Sequence, residues 1–181
     1  MEFVREIKIK DGRTFLLRNA REEDAEKLIN YLKITAAETP YLMREPEEIT
    51  LTFEQEINFI RNQIDSKNNL LLIGELDGEH VGNGSINAIG NYIRYRHRCS
   101  VAIALYQKFC GLGLGRIMLE TVLEVAKDSG YEQAELEVVA DNIRAVNLYK
   151  NLGFEIYGTQ KHNMKYKDNT YCDVHLMMKT L

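Results

Sequence analysis

Cys110-Gly111-Leu112-Gly113-Leu114-Gly115-Arg116-Ile117-Met118-Leu119 is the stretch on which the reading of this chain turns. Three glycines alternate over five residues, and an apolar-periodic run follows at once. Just upstream, Val101-Ala102-Ile103-Ala104-Leu105 has the composition of a strand. The order is therefore strand, glycine loop, helix. Glycine permits a sharp bend and leaves no Cβ in the path of an approaching ligand. The first turn of a helix presents free N–H groups and the positive end of its dipole, and both favour an anion. The loop is expected to grip the pyrophosphate of a nucleotide-containing cofactor, with plain turn chemistry as the alternative. A Rossmann loop fits poorly, because a reading from Gly111 puts its third glycine at Arg116 and the strand lies mid-chain. No Gly-Lys-Ser/Thr follows, so a Walker loop is absent.

Outward from the loop, the helix is expected to run to about Ser129-Gly130, with Gly130 at its C′ position. Ala134 to Val139 reads as a strand, Asp141-Asn142 as a cap, and Ala145, Val146, Leu148 and Leu152 as a short helix ending at Gly153. Strands follow from Phe154 and from Tyr171 to Met178. On the other side, Leu70 to Ile73 forms a compact strand, followed by a turn at Asp77-Gly78. Val81, Ile86 and Ile89 suggest another strand, weakened by Gly82 and Gly84, and a polar, basic connection runs from Asn91 to Arg98. Residues 5–18 read as a hairpin around Asp11-Gly12. A helix opens among Arg21-Glu22-Glu23-Asp24 and carries Ala25, Leu28, Ile29 and Leu32. Thr52-Phe53-Glu54-Gln55 is a capping box, and its helix is expected to pack Phe53, Ile57, Ile60 and Ile64 on one face. The succession β-hairpin, α, α, β, β, β, α, β, α, β, β makes this a mixed α+β chain.

Composition bounds the function. The chain has 181 residues, expected to form a single domain over 1–181. A net charge of −4 gives no basic field, which argues against nucleic acid as a partner. No apolar run reaches the roughly 20 residues that span a bilayer, and Met1 to Glu6 lacks a signal-peptide core. Cys99, Cys110 and Cys172 show neither paired number nor metal spacing. A cytoplasmic protein without metal or membrane partner is the expectation.

Asp141-Asn142-Ile143-Arg144-Ala145-Val146-Asn147-Leu148-Tyr149-Lys150-Asn151-Leu152-Gly153-Phe154 closely resembles the N-x-x-A-x-x-L-Y-x-x-x-G-F segment of the GNAT superfamily of N-acetyltransferases. The glycine loop resembles that family's acetyl-CoA signature, Q/R-x-x-G-x-G/A, read as Cys110-x-x-Gly113-x-Gly115. Cys110 stands where the family has Gln or Arg, and the backbone N–H expected to act there is one that cysteine also supplies. The resemblance covers residue 70 onward well and the N-terminal third loosely. It implies a GNAT-like fold: a mixed, mostly antiparallel sheet flanked by helices on both faces.

The resemblance also implies roles. Ala104 and Leu105 would offer backbone groups to pantetheine. N–H groups from Cys110, Gly111, Leu112, Gly113, Leu114, Gly115 and Arg116 would hold the pyrophosphate. Arg116 would reach a phosphate or stand as a solvated charge. Tyr149 would protonate the leaving thiolate, a role that suits a phenol of pKa near 10. Asn142 would contact pantetheine, cap its helix, or both. Glu137, placed five residues before Asn142 as in RimI-like members that acetylate protein N-termini, would take the amine proton; water chains are the alternative. The implied reaction is direct acetyl transfer from acetyl-CoA to a primary amine in a ternary complex. A small-molecule acceptor is favoured, with a protein N-terminus or a non-catalytic acetyl-CoA-binding module as alternatives. Homodimers are frequent in the family. His97 and Tyr41 are minor candidates for substrate contact, and His80 is expected to be exposed.

Overall fold

The computed structural model describes residues 2–90 and 92–181. Met1, and Asn91 at the head of the expected polar connection, lie outside the described residues. Contacts divide the chain into two compact units, residues 1–87 with 102–122, and residues 88–101 with 123–181.

The first unit opens with β1 (Val4–Lys8) and β2 (Thr14–Asn19), paired antiparallel and ending at Lys8↔Thr14. The connection is therefore longer than the two-residue turn expected at Asp11-Gly12. Asp11 shapes it: its carboxylate accepts the Arg13 N–H at 3.0 Å and Arg13 Nε at 2.8 Å, and Gly12 takes φ +87°. A 3-10 turn at Glu22–Asp24 leads into α1 (Ala25–Glu38). The helix α2 (Phe53–Asp65) starts at the expected capping box. The Thr52 hydroxyl accepts the Gln55 N–H at 3.2 Å, and Gln55 Oε1 accepts the Thr52 N–H at 2.9 Å. Next come β3 (Leu70–Leu76) and β4 (Glu79–Ala88). Asp77 and Gly78 between them both have positive φ, +52° and +79°, as a type I′ hairpin turn needs. Then follow β5 (Arg98–Leu105), a 3-10 turn at Gln107–Phe109, and α3 (Leu114–Asp128).

Strand order in the first unit is β1-β2-β3-β4-β5. Alternation along β3 sends Leu71 and Ile73 to one face and Leu76 to the other. Leu71 and Ile73 pack with Ala25 and Leu28 of α1 and Ile60 of α2. Leu76 joins Phe15, Leu17 and Val81 against Leu114 and Met118 of α3. Helices thus cover both faces of this unit.

The second unit holds β6 (Gln133–Val139), α4 (Ile143–Asn151), β7 (Glu155–Lys165) and β8 (Tyr171–Thr180), in the strand order β5-β6-β8-β7. β6 pairs antiparallel with β8, and β8 with β7. The parallel pair, β5 with β6, is short: Arg98↔Gln133, Cys99↔Ala134 and Ser100↔Glu135. Gly130 closes α3 at φ +87°, as expected of a C′ glycine. The mixed, mostly antiparallel α+β architecture is the one the sequence predicts. No helix among the described residues is long and apolar enough to cross a membrane.

Three expectations are corrected. Gly82 does not weaken β4; a Cβ there would meet the Ala104 carbonyl oxygen at 2.3 Å, so glycine is what admits β5. His80 is buried, its ring against Tyr31 and Tyr106 at centroid distances of 5.0 and 5.6 Å. On α2, Phe53 and Ile64 are exposed, and the buried positions are Glu56, Ile60 and Gln63. The helix is turned so that two polar side chains face inward.

Candidate active site

The glycine loop lies in the first unit. The Cys110 N–H donates to the Gln107 carbonyl at 3.0 Å, so the 3-10 turn already uses the group expected to meet a ligand. Gly111 and Gly113 follow at φ +91° and +81°, the left-handed region that L side chains avoid. Ile117 N–H donates to the Gly113 carbonyl at 3.2 Å. The N–H groups of Leu114, Gly115 and Arg116 precede that bond and are the orphan donors of the helix start. A Cβ on Gly113 would meet nothing within 4 Å, so the space over this glycine is open. Leu114 is buried, but Gly115 and Arg116 are not, and such donors at a helix N-terminus fit a pyrophosphate. Arg116 is half exposed and bonded through Nε to Glu120 at 2.9 Å, which supports the solvated reading of its charge. The Ala104 carbonyl accepts the Tyr31 hydroxyl at 2.8 Å, so that group is occupied as well.

A cavity of about 510 Å³ opens in the same unit. Its floor comes from β3, β4 and β5 through Leu71, Ser85 and Ala102 to Ala104, and its walls from α1, the 42–51 segment and α2. Most of the lining is apolar. Two wall polar groups are satisfied by the protein: the Tyr31 hydroxyl, and Thr35 Oγ1, which donates to the Tyr31 carbonyl at 2.8 Å. Two are not. Gln63 Oε1 is buried without a hydrogen-bond partner among the described residues. Glu56 is 4% exposed and has no ion-pair or hydrogen-bond partner for its carboxylate among the described residues. Burial pushes the Glu56 carboxyl above the usual range, and the charge of Arg44 only partly opposes this. The sequence reading missed both residues. Their signal was polar residues seven apart, on the side of α2 that carries Ile60.

The other predicted residues lie in the second unit. Asn142 caps α4, with Oδ1 accepting the Ala145 N–H at 3.2 Å. Tyr149 is buried edge-on to Phe154 at 5.9 Å, and burial pushes its phenol up to about 12. It therefore stays protonated at physiological pH and has a proton to give. Glu137 is exposed on β6, opposite Leu176. Two residues earlier on the same face, Glu135 binds Arg98 through both oxygens at 2.5 and 2.8 Å. That bidentate bond holds the Glu135 carboxyl below its usual range despite burial. Tyr157, absent from the sequence reading, lies within electrostatic reach of Glu135 and Glu137. No cluster of three or more metal-ligating side chains occurs among the described residues.

Comparisons with known proteins agree with this architecture. The acetyltransferase (GNAT) family matches residues 29–154. An N-alpha-acetyltransferase of Sulfurisphaera tokodaii is 25% identical over 173 residues, 90% of this chain and 91% of that protein. A GNAT-family acetyltransferase structure from Streptococcus pneumoniae superposes with a TM-score of 0.87 at 31% identity, over 92% of this chain and 99% of that one. A phosphinothricin acetyltransferase from Sinorhizobium meliloti, solved with acetyl-CoA, shares the fold at a TM-score of 0.79 and 18% identity, over 91% of this chain and 87% of that one. The family match spans more than half of the chain, and a relative above 30% identity covers 92% of it. The chain therefore belongs to the acetyltransferase (GNAT) family and is an N-acetyltransferase.

Proposed function

We propose that the protein transfers acetyl from acetyl-CoA to the primary amine of a small molecule, by direct attack in a ternary complex. The observation that carries the small-molecule reading is the cavity of about 510 Å³, a volume suited to a small ligand and reaching Ala102 to Ala104 of β5. The N–H groups of the Gly111 to Arg116 loop would hold the pyrophosphate. The amine nitrogen attacks the thioester carbonyl, and the C–S bond breaks as the amide forms. Glu137, or water in its place, takes the proton that the amine loses. Tyr149 gives its phenolic proton to the departing thiolate and regains one from solvent. Asn142 holds the start of α4, the helix that carries Tyr149.

Thiol release from acetyl-CoA across a panel of small amines tests this reading. At least one amine is expected to turn over, and Tyr149→Phe should lower kcat about 100-fold, the low end for loss of a general acid. CoA affinity should change less than about twofold, since the deleted hydroxyl acts on the reacting sulfur. Tight CoA binding with no turnover on any amine would instead support a non-catalytic module. A second reading, acetylation of protein N-termini, is favoured by the similarity to the Sulfurisphaera N-alpha-acetyltransferase and by exposed Glu137. An N-terminal peptide outcompeting every small amine in the panel would establish it.

A further inference from the structure

Glu56 and Gln63 present an unusual chemistry. Both are at least nine-tenths buried, both lie on the inward side of α2, and both line the cavity. Each offers an oxygen that no donor among the described residues reaches. A buried acceptor without a partner costs stability, and one that borders a cavity can be completed by what enters it. Two acceptors, one of them a carboxylate, call for a ligand rich in N–H donors and positively charged. The apolar remainder of the lining calls for a hydrocarbon body.

The floor sets the length. α2 packs on β3, and β5 is two strands further along the sheet. Two strand spacings amount to roughly 10 Å. A ligand touching Glu56 and reaching Ala102 to Ala104 must bridge about that distance, the reach of an extended six-carbon chain with nitrogen at both ends. The nitrogen beside Glu56 is then a different one from the nitrogen presented at β5.

We propose that this cavity selects acceptors of the diamine type: Glu56 and Gln63 hold a second, cationic nitrogen while the amine to be acetylated is presented at β5. The proposal rests on the acetyl-transfer reading above and adds the substrate class. Arg44, whose side chain also lines the cavity, is exposed and lies beyond ion-pair distance of Glu56.

The test uses the full chain and two probes of equal length, 1,6-diaminohexane and hexylamine, which differ only in the second nitrogen. The diamine is expected to show at least a 10-fold higher kcat/KM, and Glu56→Gln should collapse that ratio to about one. Gln63→Leu, which fills the same volume without the acceptor, should lower the ratio about threefold. Calorimetric binding of 1,6-diaminohexane in the presence of CoA, where no acetyl group is available, gives a readout free of turnover. There Glu56→Gln should weaken binding at least 10-fold. Equal kcat/KM for both probes, or a Glu56→Gln loss shared equally by both, overturns the proposal while leaving acetyl transfer intact. Glu56-dependent diamine binding without acetylation of any amine keeps the cavity assignment and overturns the transfer reading.

Discussion

The helices α2 and α3 have similar length and amphipathic spacing, yet they bury different chemistry. α3 lays down Leu114, Met118, Leu119 and Val122, all essentially inaccessible. α2 buries Ile60 with Glu56 and Gln63, and leaves Phe53 and Ile64 in solvent. Centring the stripe of Phe53, Ile57, Ile60 and Ile64 on the core would rotate α2 by roughly 60° about its axis. A helix that only supports a core follows its apolar stripe, whereas one that also walls a cavity can carry polar side chains on its inward side. Buried carboxylates make the contrast sharper. Asp24, at the start of α1, is fully engaged: Arg18 donates to both its oxygens at 2.7 and 2.9 Å, and the Arg21 N–H adds a third bond at 2.9 Å. Glu56 has none of this.

The largest effect should come from breaking the satisfied cluster. Arg18→Ala leaves Asp24 and Glu75 buried without their shared guanidinium and should cost about 4 kcal/mol in denaturant unfolding. A loss below about 1 kcal/mol would erase the distinction between paired and unpaired carboxylates. Met118→Ala, within the apolar face of α3, should cost about 3 kcal/mol by loss of contacts and creation of a cavity.

Acid should reveal the same asymmetry. Burial alone would raise the Asp24 carboxyl, but its bonds from Arg18 and Arg21 bring it down to about 2. Its folded pKa is depressed, so the stability it contributes is present above about pH 4 and lost as pH falls through about 2. Glu56 has the opposite sign. Its folded pKa is raised by burial, so the ionised side chain opposes folding at neutral pH. Glu56→Gln should therefore raise the denaturation midpoint at pH 7. That gain should vanish below the ordinary glutamate pKa, about 4.3, where both folded and unfolded chains carry the proton. A midpoint lowered at pH 7 would mean that Glu56 has a stabilising partner. The smallest effect belongs to Phe53→Ser. The side chain is 55% exposed, and the change should stay within about 0.5 kcal/mol.

Much of the molecule was legible because local chemistry agrees with the final packing. The element order follows from periodicity and punctuation. Thr52 and Gln55 cap α2, and Asn142 caps α4, through bonds within three residues, which no tertiary contact needs to arrange. The glycines at 111 and 113 take the left-handed φ for which glycine is suited. His80 and Gly82 were misread because their reasons lie far away in sequence, in Tyr31 and Tyr106 for one and in the Ala104 carbonyl for the other. At Cys110 and Ala104 a turn and a distant tyrosine use backbone groups, which local spacing does not show.

By itself the sequence determined the α+β element order, the strand–glycine loop–helix unit and the family, because these depend on spacings of a few residues. Only the tertiary structure decided which side of α2 faces inward, and with it the placing of Glu56 and Gln63 on a cavity wall. The physical reason is that helical periodicity specifies a stripe but not its orientation. Orientation is chosen by the surfaces the helix meets, and for α2 these are β3 beneath Ile60 and a cavity beside it.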